Sequence, residues 1–298
     1  MENEVSGRKQ KIELIERLST SNDPDNLARL VNFLLDDDNE IRRVVIVSLT
    51  RINREVILES FPKIEDRLKP FVAKLLQKID TGIADKLVRD LQHMDSNRRV
   101  RAIDLMVRLG KKEGVREALK NVIKDNDSKV RASSIKAIGL LGDSRDLGDL
   151  ISMVNDPDPR VRANVIEAFE KIGDDSVVWL LLRFSSDENN RIRANAMKAL
   201  WHFGYKDIEG KLKKMLFDEN EWMRASACWV IGELRDENLL SLLLMRLNDT
   251  SPNVRINIVR ALDKIGSALC IKKLEEMQDD PSAEVRAAVI NVLSRIGR

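Results

Sequence analysis

Two histidines, His93 and His202, and two cysteines, Cys228 and Cys270, are the whole stock of imidazole and thiol in this chain. A metal centre or an acid–base relay needs such groups clustered at ligand spacing. These four stand far apart, and neither histidine is followed by glutamate. A Gly-rich phosphate loop, a G-x-S-x-G elbow and a Cys/His cluster are also missing. Cys228 falls at a core-facing position and reads as a small buried hydrophobe rather than a nucleophile. No catalytic residue, metal or cofactor is therefore expected. The side chains that do stand out are aromatic and cationic: Trp201, Trp222 and Trp229, and the row Arg99, Lys129, Arg160 and Arg191. Such residues make contact surfaces for other macromolecules.

The frame that must position them is a repeat. The string Asp-x-x-x-x-(Val/Ile/Met)-Arg recurs with its arginines at 101, 131, 162, 193, 224, 255 and 286, a first gap of 30 and then gaps of 31. Arg42 precedes Arg101 by 59, which leaves room for two periods, with Phe71 halfway in a segment that keeps the apolar pattern but lacks the Asp and Arg. The count is nine units, the second degenerate. Four residues before the arginines stand Asp38, Asn97, Asp127, Asp158, Asn189, Asn220, Ser251 and Ser282, all preferred N-cap types. Pro159 and Pro252 follow at the first helical position. Eleven residues after the arginine, Gly142, Gly173, Gly204, Gly266 and Gly297 suit a left-handed helix stop. Apolar residues between these signals keep helical spacing, as in Val161, Val165, Ala168, Phe169 and Ile172. Each unit thus ends in a capped helix of about four turns, and a shorter helix precedes it. Two short helices cannot bury their apolar faces alone, so neighbours must stack into a right-handed α-α superhelix.

The segments DNDSKVRASSIKAIGLLGD (125–143) and DPDPRVRANVIEAFEKIGD (156–174) resemble the HEAT repeat in its short form, the kind found in phycobilisome lyase-type proteins. The resemblance spans roughly residues 25–298, with residues 1–24 as an N-terminal capping helix or tail and the degenerate repeat near 54–82. It implies that Asp36, Asp95, Asp125, Asp156, Asp187, Asp218, Asp249 and Asp280, six before each arginine, form an inter-repeat ladder of ion pairs. It says little of function, since these repeats serve many partners. Deoxyhypusine hydroxylases, also HEAT-like, bind iron through His-Glu pairs, which this chain lacks.

Subtracting the frame leaves the outward positions at −2, +2, +5 and +8 or +9 from the arginine, one face by helical geometry. Trp222, Ser226 and Trp229 share that face in the seventh unit, and Trp201 with His202 stands near it in the sixth. Other units are polar there, so the three tryptophans read as an interface anchor; extra core is the alternative. Trp179 reads as convex-face packing. Arg99, Lys129, Arg160 and Arg191 at −2, extended by Asn195 at +2 and by Lys198 and Arg260 at +5, form a basic rail for an acidic strip or a phosphate backbone. Solvated surface charge is the bland alternative. Val44, Val47, Ile103 and Met106 make an apolar inner face in units one to three that calls for cover, from the leading helix or a partner.

Net charge is +2, from 51 basic and 49 acidic residues, which does not favour nucleic acid or anionic lipid. The N-terminus lacks an apolar leader segment, and no stretch approaches the roughly 18 apolar residues of a membrane span. The expectation is a cytoplasmic, non-enzymatic scaffold or adaptor that binds a protein. The alternatives are nucleic-acid binding along the rail, and, further off, a HEAT-like DNA glycosylase or a phycobilin lyase or chaperone.

Overall fold

The computed structural model describes residues 2–21, 23–79, 82–110, 114–205 and 208–296. Among them regular structure is helical throughout, 19 α-helices joined by turns and short 3-10 segments. They fall into two compact units, Met1–Gly142 and Asp143–Arg298. Within each unit short and long helices alternate as stacked hairpins, an α-α solenoid on the period the sequence announces.

In the second unit the long helices are Pro159–Ile172, Asn190–His202, Glu221–Leu234, Pro252–Ile265 and Ala283–Ile296. Asp158, Asn189 and Asn220 cap three of them, accepting the N–H two residues on at 2.8, 3.0 and 2.9 Å. Ser251 holds the same place but turns its hydroxyl to Glu221. Seven residues past the arginine in the first four of these helices, Phe169, Leu200, Ile231 and Leu262 are fully buried between neighbours. That shared burial, at about 25 cal/mol per Å² of apolar surface, is what one hairpin alone cannot reach. At the helix ends Gly173, Gly204 and Gly266 have positive φ, whereas Gly142 is extended at φ −80. Gly297 lies outside the described residues. In the seventh hairpin Arg235 takes the left-handed turn at φ 50. A Cβ there costs about 1–2 kcal/mol, so Arg235→Gly is expected to raise stability by about 1 kcal/mol, seen as a higher Tm.

The ladder links consecutive hairpins. Arg224 Nη1 donates to the Asp218 and Glu219 carbonyls, both at 2.9 Å, while Nε and Nη2 donate to the Asp249 carboxylate at 2.8 and 2.9 Å. Arg255 repeats the pattern on the Asp249 carbonyl and the Asp280 carboxylate. The partner carboxylate is therefore 25 residues ahead, in the next hairpin. The aspartate six residues before each arginine gives that arginine its carbonyl and uses its own carboxylate on a backbone N–H two residues on, as in Asp156 to Asp158 and Asp218 to Asn220, both 2.9 Å.

The first unit corrects the register of the third repeat. Helix Ser96–Leu109 is capped by Asp95, not Asn97. Arg99 rather than Arg101 is the ladder arginine, with Nη1 on the His93 and Met94 carbonyls and Nη2 on Asp125 at 2.8 Å. The buried set Ala102, Ile103, Leu105 and Met106 matches the other helices only when counted from Arg99. Ile103 and Met106 are therefore core, not an inner face awaiting cover. Of the four residues assigned to that face, Val47 is the one left exposed. The Arg99–Asp125 pair spans 26 residues instead of 25, only Nη2 reaches the carboxylate, and Nε is buried without a partner. His93 fills the aspartate's place, its Nδ1 accepting the Asp95 N–H at 3.0 Å. In the second repeat the register also shifts: Val72, Ala73 and Leu76 are buried three, four and seven residues past Lys69, which pairs with Asp66 at 2.9 Å, and Phe71 is exposed.

The leading helix, Glu2–Ser19, follows the same grammar. Lys11 Nζ meets Asp36, 25 residues ahead, at 2.6 Å, and Ile15 and Leu18 are buried four and seven residues past it. The helix thus takes the place of a repeat's second helix. The Lys11–Asp36 pair is half exposed on the lysine side, so Lys11→Met is expected to change stability by less than about 1 kcal/mol in denaturant titration.

Candidate functional site

The seventh hairpin's second helix, Glu221–Leu234, lies between Asn190–His202 and Pro252–Ile265. It comes close to the latter at Gly232, where an added Cβ would fall 2.8 Å from the Ala261 Cα. Trp222 projects from the first turn with 57% of its surface exposed. Trp201 and Trp229 are half-buried. Lys198 Nζ stands 5.7 Å from the Trp229 ring centroid, a cation–π arrangement. The same ammonium meets Glu170 Oε2 at 3.1 Å, and His202 Nδ1 meets Glu170 Oε1 at 2.5 Å. Glu170 thereby ties the fifth hairpin to the sixth, and Lys198 carries the link to the seventh.

On its other side Trp229 walls a groove of about 280 Å³ shared with Gly232, Asn257, Arg260, Ala261, Asp263 and Lys264. Lys264 pairs with Glu233 and Asp263 with Arg295. Arg260 is exposed and makes no ion pair among the described residues.

Several expected contact residues serve other ends. Asn195 is 3% exposed, with Nδ2 donating to Glu167 at 2.8 Å and to the Ala163 carbonyl at 3.4 Å. Ser226 accepts from Asn190 Nδ2 at 2.7 Å. In these two hairpins the +2 side chain faces the adjoining second helix, so stacking turns it into a seam, whereas Asn257 at +2 of the eighth borders the groove. Arg99 belongs to the ladder, which removes it from the rail. Arg160 folds onto its own cap Asp158 at 2.6 Å, and Arg191 meets Glu167 at 3.4 Å. Lys129, in the first unit, is exposed. Arg160 and Arg191, the rail cations of the second unit, are thus each already beside an acid.

Sequence reasoning missed Gly232, Asn190 and the role of Glu170. The available signal was charge complementarity one repeat apart, between Glu170 and Lys198 or Glu233 and Lys264. Trp179, assigned to packing, is 61% exposed on the short helix Val178–Phe184. Cys228 is fully buried, and burial pushes its thiol up to about 12, which leaves it protonated and inert. Among the described residues no three or more His, Cys, Asp and Glu side chains gather as a metal-ligand set, and no helix is long and apolar enough to cross a membrane.

The stacked hairpins and their ladder agree with a comparison against known families, which matches HEAT repeats at residues 123–184, 148–209, 177–250 and 208–294. The chain belongs to the HEAT-repeat family. Other HEAT-like folds are similar at low identity. The Escherichia coli protein YibA is 19% identical, with a TM-score of 0.50 over 87% of this chain and 98% of its own. The complex of CpcE and CpcF of phycocyanin lyase from Nostoc sp. PCC7120 is 17% identical, with a TM-score of 0.48 over 83% and 95%. Human deoxyhypusine hydroxylase is 20% identical, with a TM-score of 0.38 over 71% and 94%. No curated protein sequence matches this HEAT-repeat chain.

Proposed function

We propose that this HEAT-repeat chain is a non-enzymatic protein-binding scaffold or adaptor of the cytoplasm. It docks its partner along the exposed edge of the second helices in the sixth to eighth hairpins. The observation that carries this reading is Trp222, 57% exposed at a position where other repeats have Lys129, Arg160, Arg191, Asn253 and Glu284. A rigid helix that holds a large aromatic out in water has already met the ordering cost of binding, and tryptophan is the commonest hot-spot residue. Trp229 and Trp201, half-buried on the second helices of the seventh and sixth hairpins, add further aromatic surface. The paired state of Arg160 and Arg191 weighs against a phosphate backbone as the ligand.

The test is affinity capture with the full chain, followed by titration of the recovered partner. Trp222→Ala with Trp229→Ala is expected to weaken binding at least tenfold, as hot-spot truncations do. Undiminished binding by the double variant would overturn the proposal. Affinity that falls steeply with salt would mark a nucleic acid instead.

A further inference from the structure

The groove beside Trp229 has a charge balance that specifies its occupant more closely than the exposed tryptophans do. Its charged rim consists of Arg260, Asp263 and Lys264. Asp263 is neutralised by Arg295 and Lys264 by Glu233. Behind the indole, Lys198 and His202 share the Glu170 carboxylate. One charge is left over, the Arg260 guanidinium, on an exposed position of the same helix that bounds the groove. Asn257 spends its Nδ2 on the Asn253 carbonyl at 2.9 Å, which leaves its Oδ1 as an acceptor. The third component is apolar: the Trp229 ring, and the shallow floor that Gly232 and Ala261 create by their close approach.

We infer that this groove is a recognition pocket for a single carboxylate side chain, Asp or Glu, flanked by an apolar residue in an extended peptide segment of the protein partner. This rests on the scaffold reading above and names the chemistry of its partner. The carboxylate takes the guanidinium by a paired hydrogen bond, the fork geometry that arginine offers and lysine does not. The neighbouring apolar side chain covers the Trp229 ring, and a peptide N–H donates to Asn257 Oδ1. A net charge of plus one matches a carboxylate. A phosphate dianion would meet only one uncompensated cation, and a nucleic-acid backbone would need a row of them.

The experiment is selection of a random-peptide display library on the immobilised full chain, compared with Arg260→Glu, Arg260→Gln and Trp229→Ala. The wild type is expected to enrich peptides with an acid next to an apolar residue. Arg260→Gln should weaken a selected peptide about tenfold, and Arg260→Glu should shift enrichment from acidic to basic residues. Trp229→Ala should remove the apolar preference. All four chains should keep the same thermal unfolding midpoint to within a few degrees, since Arg260 is exposed and Trp229 half-buried. Enriched peptides that depend on Trp229 but carry no acid, or that ignore Arg260→Glu, overturn the carboxylate assignment and leave the scaffold reading standing. Absence of any enriched peptide overturns the assignment; if partner capture is also insensitive to the tryptophans, the scaffold reading falls with it.

Discussion

Asp249→Ala is expected to lower the unfolding free energy by about 3–5 kcal/mol, the scale for breaking a buried ion pair from one side. Asp249 is the most heavily used carboxylate in the ladder. It is buried, and it accepts from Arg224, Arg246 and the Ser251 N–H, while its carbonyl serves Arg255. Alanine would leave the Arg224 guanidinium, itself buried, with carbonyls alone and would strip the turn before helix Pro252–Ile265 of its bond to Ser251. The same logic gives a pH dependence. Burial pushes the Asp249 carboxyl up, but Arg224, the Ser251 N–H and Arg246 outweigh it and hold the group down at about 2, against the ordinary 3.8. A carboxylate depressed in the folded chain stabilises it above the unfolded value and loses that contribution as pH falls through the folded one. Asp249 should therefore contribute about 2 kcal/mol near neutrality that disappears between about pH 4 and pH 2. Asp280, held low first by Arg255, adds a loss of the same sign. In urea titrations from pH 7 to pH 2.5 the gap between wild type and Asp249→Ala should narrow by about 1.5 kcal/mol without closing. A constant gap between the two curves would show that the carboxylate's charge is not what matters.

Gly232→Val is expected to destabilise the chain by about 3 kcal/mol, the upper range for overpacking. The new Cβ would lie 2.8 Å from Ala261 Cα and 2.9 Å from its Cβ, so the contact is with backbone that cannot rotate away. Helix Glu221–Leu234 and helix Pro252–Ile265 would have to separate, which widens the groove beside Trp229. Gly210 supplies the control. It also lies in a helix, Glu209–Leu216, but a Cβ there meets nothing within 4 Å. Gly210→Val should stay within about 0.5 kcal/mol of wild type, since glycine and valine differ little in helix propensity. Equal unfolding midpoints for the two variants would refute the close-approach argument. A shift in Trp229 fluorescence confined to Gly232→Val would support it.

How far the site could be read from residues alone differs from position to position. Trp222 was legible because it breaks a polar pattern at a position whose direction follows from its distance to Arg224. Asn195 and Ser226 were not, because the +2 position lies on the boundary between solvent and the adjoining helix, and only the stacking distance decides which side it falls. Arg99 failed for another reason. Two arginines two residues apart, with Asp95 and Asn97 each a fair N-cap, satisfy the local rules in either register. The burial of Ile103 and Met106 settles it, and burial depends on the neighbouring hairpins.

The sequence by itself determined the hairpin period, the capped second helices, the core positions and the identity of the ladder residues in most repeats. These follow from interactions within a few residues of each other, repeated often enough that the pattern stands out. The tertiary structure alone decided which aspartate each arginine meets, which polar positions become seams, and where one cation is left without an acid. Those outcomes depend on distances between helices 25 to 32 residues apart, and a one-residue change in a turn is enough to alter them.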